Sequence, residues 1–305
     1  MKLSEADARP TVGFDIGGTQ CRATVVSAAG EILTTLSVPT PDTEAALEDA
    51  VVGLVEKLRA EHDPAAVGLA VAGFLDAERE TVRFAPHLPW RDVPVRARLQ
   101  DRLGLPVVLE HDANSAAWGE YRFGSARGAG TWVFFAVGTG IGAALMIDGQ
   151  LFRGAYGTAP EFGHLTVVPG GRLCACGRRG CLERYASGTA LADTAVEHGL
   201  PPGMSGPALM AAARAGDARA EAVIADFAAW LGQGLATVVD VLDPELIVLG
   251  GGVAVDADLF LADAQAAMAA NIVGAGHRPL PVVGTTELGP AAGMIGVADL
   301  ARTHS

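Results

Sequence analysis

A strand, a turn of glycine and threonine, and a returning strand occur twice in this chain, and no other feature narrows its fold as much. The first copy runs from the apolar, β-prone stretch Thr11–Ile16 through Gly17-Gly18-Thr19 to Cys21–Ser27. The second runs from Thr131–Val137 through Gly138-Thr139-Gly140 to Ile141–Ile147, where Asp148-Gly149 signals a hairpin turn. The copies lie about 120 residues apart, a duplication that points to two similar α/β halves facing each other.

Hydrophobic periodicity fills in the rest. Glu31–Val38 reads as a third strand, and Glu44–His62 shows helical spacing at Leu47, Val51, Leu54, Val55 and Leu58. Val67–Ala72 and Val107–Glu110 read as short strands, Arg96–Leu103 as a helix stopped by Gly104, and Asp112–Tyr121 as a helix. A loop-rich insertion at residues 154–188 is followed by alanine-rich helices near 189–198, 207–215 and 218–241. The strand Leu246–Leu249, a helix near 256–270, a strand at 281–285 and a helix at about 290–302 complete the pattern. No Pro- or Ser-rich linker separates the halves, so they are expected to pack across a cleft.

The bulk chemistry excludes several classes of partner. Half of the 305 residues are hydrophobic, which is ample for buried cores, and the 39 glycines cluster beside strand-like runs rather than in a repeat. The net charge is −13 with no basic run to offset it, so nucleic acid is not an expected partner. The N-terminus is polar, without an apolar signal core, and no apolar stretch approaches the roughly 20 residues that span a bilayer. The expected location is cytoplasmic, with no membrane partner.

The glycine turns carry the first chemistry. Gly17 and Gly18 let backbone N–H groups approach phosphate oxygens without an intervening Cβ, Thr19 adds a hydroxyl, and Asp15 can orient hydrated magnesium. Alone, this is equally a plain hairpin turn. Gly138, Thr139 and Gly140 stand in the matching place of the second half, and the pair together can grip β- and γ-phosphates from both sides. Neither is a Walker loop, since no Gly-Lys-Ser/Thr follows, nor a dinucleotide fingerprint, since a strand follows the glycines. Gly250-Gly251-Gly252, after Ile247-Val248-Leu249, permits flat approach of an adenosine ring or simply starts a helix.

His111-Asp112-Ala113-Asn114 stands at a strand-to-helix junction. Asp112 there either caps the helix or takes a proton from an attacking hydroxyl. His164, Cys174, Cys176 and Cys181 offer one imidazole and three thiolates, enough for a closed tetrahedral Zn2+ site of the structural kind. Cys21, by contrast, reads as a small buried side chain. Glu161 and Glu183 flank the metal ligands and are either solvated loop charges or partners for vicinal hydroxyls. A His164 held by metal through one ring nitrogen would offer the other to a ligand at a fixed angle.

Together these residues resemble the bacterial ROK family of repressors and sugar kinases, and within it the ATP-dependent glucokinases of actinobacterial type. The resemblance runs from Asp15-Ile16-Gly17-Gly18-Thr19 to Gly250-Gly251-Gly252 and includes Ala85-Pro86-His87-Leu88-Pro89-Trp90. Its most specific part is Glu161-x-x-His164 with Cys174-x-Cys176-Gly177-x-x-Gly180-Cys181-x-Glu183. It implies an actin-like (ribonuclease H-like) ATPase fold, two α/β domains around a nucleotide cleft. The small domain would take residues 10–120 plus 290–305, and the large one 121–289 with the zinc-binding insertion at about 154–188. It implies phosphorylation of the 6-hydroxyl of a hexose, glucose first, by Mg2+-ATP. Asp112 would be the general base. Gly73, His111, Asp112, Glu161, His164 and Glu183 would line the sugar, while Asp15, Gly17, Gly18, Thr19, Gly138, Thr139, Gly140, Gly251 and Gly252 would hold the nucleotide. Zinc would sit on His164, Cys174, Cys176 and Cys181, and the chain would assemble as a homodimer or homotetramer.

Two positions depart from the family pattern. His111 replaces the asparagine that normally precedes the base and touches the sugar, which opens the alternatives N-acetylmannosamine, N-acetylglucosamine and fructose. Gln20 replaces the lysine or asparagine after the first threonine, where backbone groups do most of the phosphate binding. A sugar-responsive repressor of this fold would need a DNA-binding module of about 70 residues or more, and only about ten precede the first strand here. A non-catalytic sugar-binding module would not need both phosphate turns together with a base.

Overall fold

The computed structural model describes residues 8–303; most of the polar chain start, residues 1–7, lies outside them. It opens with three strands, β1 (Thr11–Ile16), β2 (Gln20–Val26) and β3 (Ile32–Pro39), then α1 (Glu44–Arg59) and β4 (Val67–Val71). Three very short strands follow, β5 (Phe74–Leu75), β6 (Val82–Phe84) and β7 (Arg91–Val93), before α2 (Val95–Leu103), β8 (Val107–His111) and α3 (Asp112–Phe123). The second copy supplies β9 (Thr131–Val137), β10 (Ile141–Ile147) and β11 (Gln150–Phe152). The remainder is mainly helical: α4 (Gly188–Glu197), α5 (Gly206–Arg214), α6 (Ala218–Leu242), β12 (Leu246–Gly250), α7 (Leu261–Asn271), β13 (Val282–Thr285) and α8 (Ala292–Thr303).

The duplication is visible in the strand orders. The first sheet runs β3-β2-β1-β4-β8 and the second β11-β10-β9-β12-β13. In the first, β2 is antiparallel to β1 and β3, while β4 and β8 join in parallel. In the second, β12 is parallel to β9 and β13 parallel to β12. β4, buried along its whole length at Val67–Val71, is apolar on both faces, as befits an inner parallel strand covered on both sides.

The chain divides into two compact units. The first comprises the residues up to Gly128, Ala144–Pro160 and those from Glu287 on; the second comprises Ala129–Ala143 and Glu161–Thr286. The division passes through β10. Residues 144–160 group with the first unit, where Arg153 bonds to Glu110 and the Gly149 turn rests on Tyr121.

In the first unit, α1 buries Leu47, Val51, Leu54, Val55 and Leu58 on the sheet, with Thr43 capping its N-terminus. Helix α8 lies against β1, β2, β4 and β8. It comes close because Gly13 and Gly68 lack side chains: an added Cβ at either would meet the α8 backbone. Polar anchors hold it there, with Arg302 donating to Thr11 Oγ1 (3.0 Å) and the Val26 carbonyl (3.1 Å).

In the second unit, α6 packs on α4, α5 and α7. It corrects the expectation that no stretch approaches membrane-spanning length: its 25 residues include a window of mean hydropathy 1.5. That window is 61% buried inside the protein, as in a core helix. The helix expected near 256–270 begins earlier, as a 3-10 segment over Gly252–Leu259 that leads to α7.

Candidate active site and metal cluster

In the first unit the site is built on the ends of β1, β4 and β8. The β1–β2 turn is closed by the Gly17 N–H to the Gln20 carbonyl (3.0 Å). Thr40 holds it from outside, donating its hydroxyl to the Gly17 carbonyl (2.6 Å) and its N–H to the Thr19 carbonyl (3.1 Å). Gly18 and Thr19 are exposed. Gly18 has no room for a side chain, since an added Cβ would stand 2.8 Å from the Cβ of His87. The segment Ala85–Trp90 thus packs directly on the β1–β2 turn. Gly73, after β4, is similarly crowded by the Phe84 carbonyl and Ala85.

Asp112 is the first residue of α3, and His111 occupies the cap position without a capping side-chain bond. The cap reading of Asp112 therefore does not describe its place. Its Oδ1 accepts the N–H of Ala113 (2.7 Å) and stands 3.3 Å from His111 Nε2. Its Oδ2 makes no hydrogen bond among the described residues, and the side chain is half-exposed. Asp15 lies close enough to feel it: burial first, then the Asp112 charge, push the Asp15 pKa up, against a smaller lowering by Arg22. Cys21, across from Ile16, is fully buried, and burial with the Asp15 charge pushes its thiol up to about 12. It is a core side chain rather than a nucleophile.

Glu110 is a residue the motif reading passed over. It is 2% exposed, and one of its two carboxylate oxygens serves the neighbourhood of Asp112. Oε1 takes the His111 N–H (3.0 Å) and Asn114 Nδ2 (2.9 Å), while Oε2 takes Nε and Nη2 of Arg153 at 2.9 and 2.6 Å. It braces the start of α3. A glutamate ending an otherwise apolar strand was the available signal.

In the second unit the turn Gly138–Gly140 is closed by the Gly138 N–H to the Gly140 carbonyl (2.9 Å). The start of α4 seals it, with the Gly188 N–H on the Gly138 carbonyl (2.7 Å) and the Thr189 hydroxyl on the Thr139 carbonyl (2.8 Å). Gly251, at φ +84°, lies against the Val137 carbonyl just before this turn, and Gly252 follows it, exposed. Gly138, Thr139, Gly140, Gly251 and Gly252 therefore share one end of the second sheet.

The four residues expected to ligate a metal lie together. Ligand atoms of His164, Cys174, Cys176 and Cys181 all lie within 4.8 Å of one another. Cys176 Sγ and Cys181 Sγ are 3.7 Å apart, as are Cys174 Sγ and His164 Nδ1. Sulfur ligands at about 2.3 Å from a tetrahedral ion stand about 3.8 Å apart, whereas a disulfide needs about 2.05 Å. The arrangement fits a metal ion and not a bridge. His164 turns Nδ1 to the cluster and Nε2 toward Glu161, whose Oε2 is 3.7 Å away.

Glu183 has a place the sequence did not reveal. Its Oε2 accepts the Ile141 N–H (2.9 Å), and its Oε1 stands 3.7 Å from Cys174 Sγ. One carboxylate thus lies between the His164–cysteine cluster and the start of β10 after the Gly138–Gly140 turn. An added Cβ on Gly140 would overlap it, so glycine at 140 leaves the carboxylate its place.

Comparison with known proteins places this geometry in a family. The ROK family model matches residues 11–304. The glucokinase of Streptomyces coelicolor is 42% identical, the alignment covering 96% of this chain and 97% of the relative. Among solved structures, a ROK family glucokinase from Streptomyces griseus, in complex with glucose and AMPPNP, superposes with a TM-score of 0.86 at 41% identity, covering 96% of this chain and 99% of that one. A ROK hexokinase from Thermus thermophilus gives a TM-score of 0.85 at 35% identity, covering 97% and 98%. The fold is the actin-like ATPase fold of these sugar kinases. With its family model matched from the first strand to the last helix, the chain belongs to the ROK family.

Proposed function

We propose that this chain is an ATP-dependent kinase that transfers the γ-phosphoryl group to the 6-hydroxyl of a hexose, glucose first. The observation that carries the reading is the division of labour between two carboxylates of the first unit. Asp112 is half-exposed with Oδ2 free of hydrogen bonds among the described residues, and Asp15 is more buried at the first phosphate turn. The likeness to glucokinases over nearly the whole chain supports the same reading.

In this reading Asp112 accepts the proton of the sugar 6-hydroxyl as its oxygen bonds to the γ-phosphorus and the bond to the β–γ bridging oxygen breaks, releasing ADP. The backbone N–H groups of Gly17, Gly18 and Thr19, and of Gly138, Thr139 and Gly140, bind the phosphates, while Gly251 and Gly252 leave flat room for the adenosine. Asp15 would hold Mg2+, which would supply neutralisation of phosphate charge. Gly73, Glu161, His164, Glu183 and His111 orient the sugar. His164, Cys174, Cys176 and Cys181 would hold Zn2+, whose role is to set the angle at which His164 presents Nε2. A cytoplasmic homodimer or homotetramer is the assembly proposed.

A second reading, a kinase for another sugar, is favoured by His111. Its ring stands 3.3 Å from the base where the family pattern has asparagine. A coupled ADP-release assay across glucose, N-acetylmannosamine, N-acetylglucosamine and fructose decides between them. The highest kcat/KM is expected for glucose, and no ADP release with any hexose defeats the kinase reading itself.

A further inference from the structure

On the far side of Glu110 from His111, the first unit holds a cavity of about 130 Å³. A single water needs about 10–15 Å³ by a comparable measure, so the space admits a group several atoms across. Its polar lining is Arg79, Arg96, Arg153 and Glu110, and Val108 and Leu109 are among its apolar walls.

Three guanidiniums and one carboxylate do not balance. Arg153 is matched, because its Nε and Nη2 both bond to Glu110 Oε2. Arg79 approaches the same oxygen only to 3.9 Å through Nε and makes no hydrogen bond through its side chain among the described residues. Arg96 donates Nε to Gln100 Oε1 (3.2 Å), and its Nη1 is 3.7 Å from Glu80, a largely exposed carboxylate outside the lining. Two cationic forks therefore face the cavity after its one carboxylate has been used.

The arrangement is held rather than incidental. Arg79 has φ +56°, a backbone conformation that residues with a Cβ avoid. Asp76 enforces it: Oδ1 accepts the N–H groups of Glu80 (2.8 Å) and Thr81 (3.0 Å), and its carbonyl accepts the Arg79 N–H (3.0 Å). The Glu80 carbonyl then takes the Arg96 N–H (3.2 Å), fixing the β5–β6 turn to α2. Burial and the nearby Arg153 charge push the Arg79 pKa down, so a cation is kept where its surroundings disfavour one.

We propose that this cavity is a binding site for a small oxyanion of the phosphate class, gripped by Arg79 and Arg96 with Arg153 behind them. Planar guanidinium forks match phosphate oxygens in geometry and charge. The ligand is either inorganic phosphate or the phosphate group of a sugar phosphate. Glu110 links Arg153 to the His111 N–H and Asn114, so an anion here sits one side chain from the start of α3.

The test is titration calorimetry on the full chain with saturating Mg-AMPPNP present, using inorganic phosphate in one arm and glucose 6-phosphate in the other. Two variants accompany it, Arg79→Gly and Arg96→Gln. Glycine adopts the φ of position 79 freely, so Arg79→Gly is expected to fold at least as stably as the parent, which its melting temperature checks. Phosphate binding is expected in the parent and at least about tenfold weaker in each variant. Comparable or tighter binding of the ester assigns the site to a phosphate monoester, and weaker binding assigns it to the free ion. No binding heat in either arm, or equal affinity in parent and both variants, overturns the site.

Discussion

Alanine at position 140 tests the link between the metal loop and the phosphate turn. The Gly140 backbone lies outside the left-handed region, so alanine is conformationally allowed there and its neighbours alone decide the outcome. Its Cβ would overlap Glu183 Oε2, the oxygen that accepts the Ile141 N–H at 2.9 Å. The carboxylate must swing away, and a hydrogen bond to a charged group, about 1.5–3 kcal/mol, is lost. If the whole loss falls on the ligand-ready turn, Mg-AMPPNP affinity drops roughly 10- to 150-fold. The assay is a double-mutant cycle on nucleotide Kd with Gly140→Ala, Glu183→Ala and the double variant. Glu183→Ala is expected to weaken binding by a similar factor, and Gly140→Ala to add nothing in its presence. Multiplicative losses in the double variant would refute the contact as the cause. Gly138→Ala is the control: no atom lies within 4 Å of its added methyl, so its urea midpoint should equal the parent's.

Other expectations follow from the same geometry. Asp112→Asn keeps the oxygen that accepts the Ala113 N–H and should lower kcat by about two to four orders of magnitude with glucose affinity retained; turnover within fivefold of the parent removes Asp112 as base. Asp15 has a folded pKa raised by burial and by Asp112, so the native state holds its proton more tightly than the unfolded chain. Its ionisation then subtracts from stability as pH rises above the ordinary carboxylate range, the loss levelling off once pH passes the folded pKa. Asp15→Asn should accordingly melt higher than the parent at pH 7, lose that advantage at pH 3, and lose use of Mg-ATP; a pH-independent difference contradicts the argument. Metal analysis of the parent is expected to give one zinc per chain, and Cys176→Ser, which removes one of the four candidate ligands, should abolish it while weakening glucose binding; full glucose affinity without metal would end the idea that an ion mounts His164.

Legibility followed the strength of local signals. The strands flanking both glycine turns and the helix α1 were readable because their apolar periods run over six or more residues. The sheet of β5, β6 and β7 was not, because strands of two or three residues are too short to show alternation. The clustering of His164 with Cys174, Cys176 and Cys181 was readable from spacing because they lie within eighteen positions. The partners of Glu110 and Glu183 were not, because Arg153 and Ile141 stand 43 and 42 positions away, and a single sequence carries no record of which distant charge meets which.

Composition, period and spacing were sufficient for the repeated α/β plan, the two glycine turns, the gathering of His164 with the three cysteines, and the candidate base, since each depends on residues that are neighbours along the chain. Tertiary structure alone decided that Asp112 begins a helix instead of capping it, that Glu183 in the cysteine-bearing loop accepts the Ile141 N–H beside Gly140, and that two arginines face a cavity beside Glu110. Those outcomes depend on which surfaces close packing forces together, and packing is settled by the whole fold at once rather than by any stretch of it.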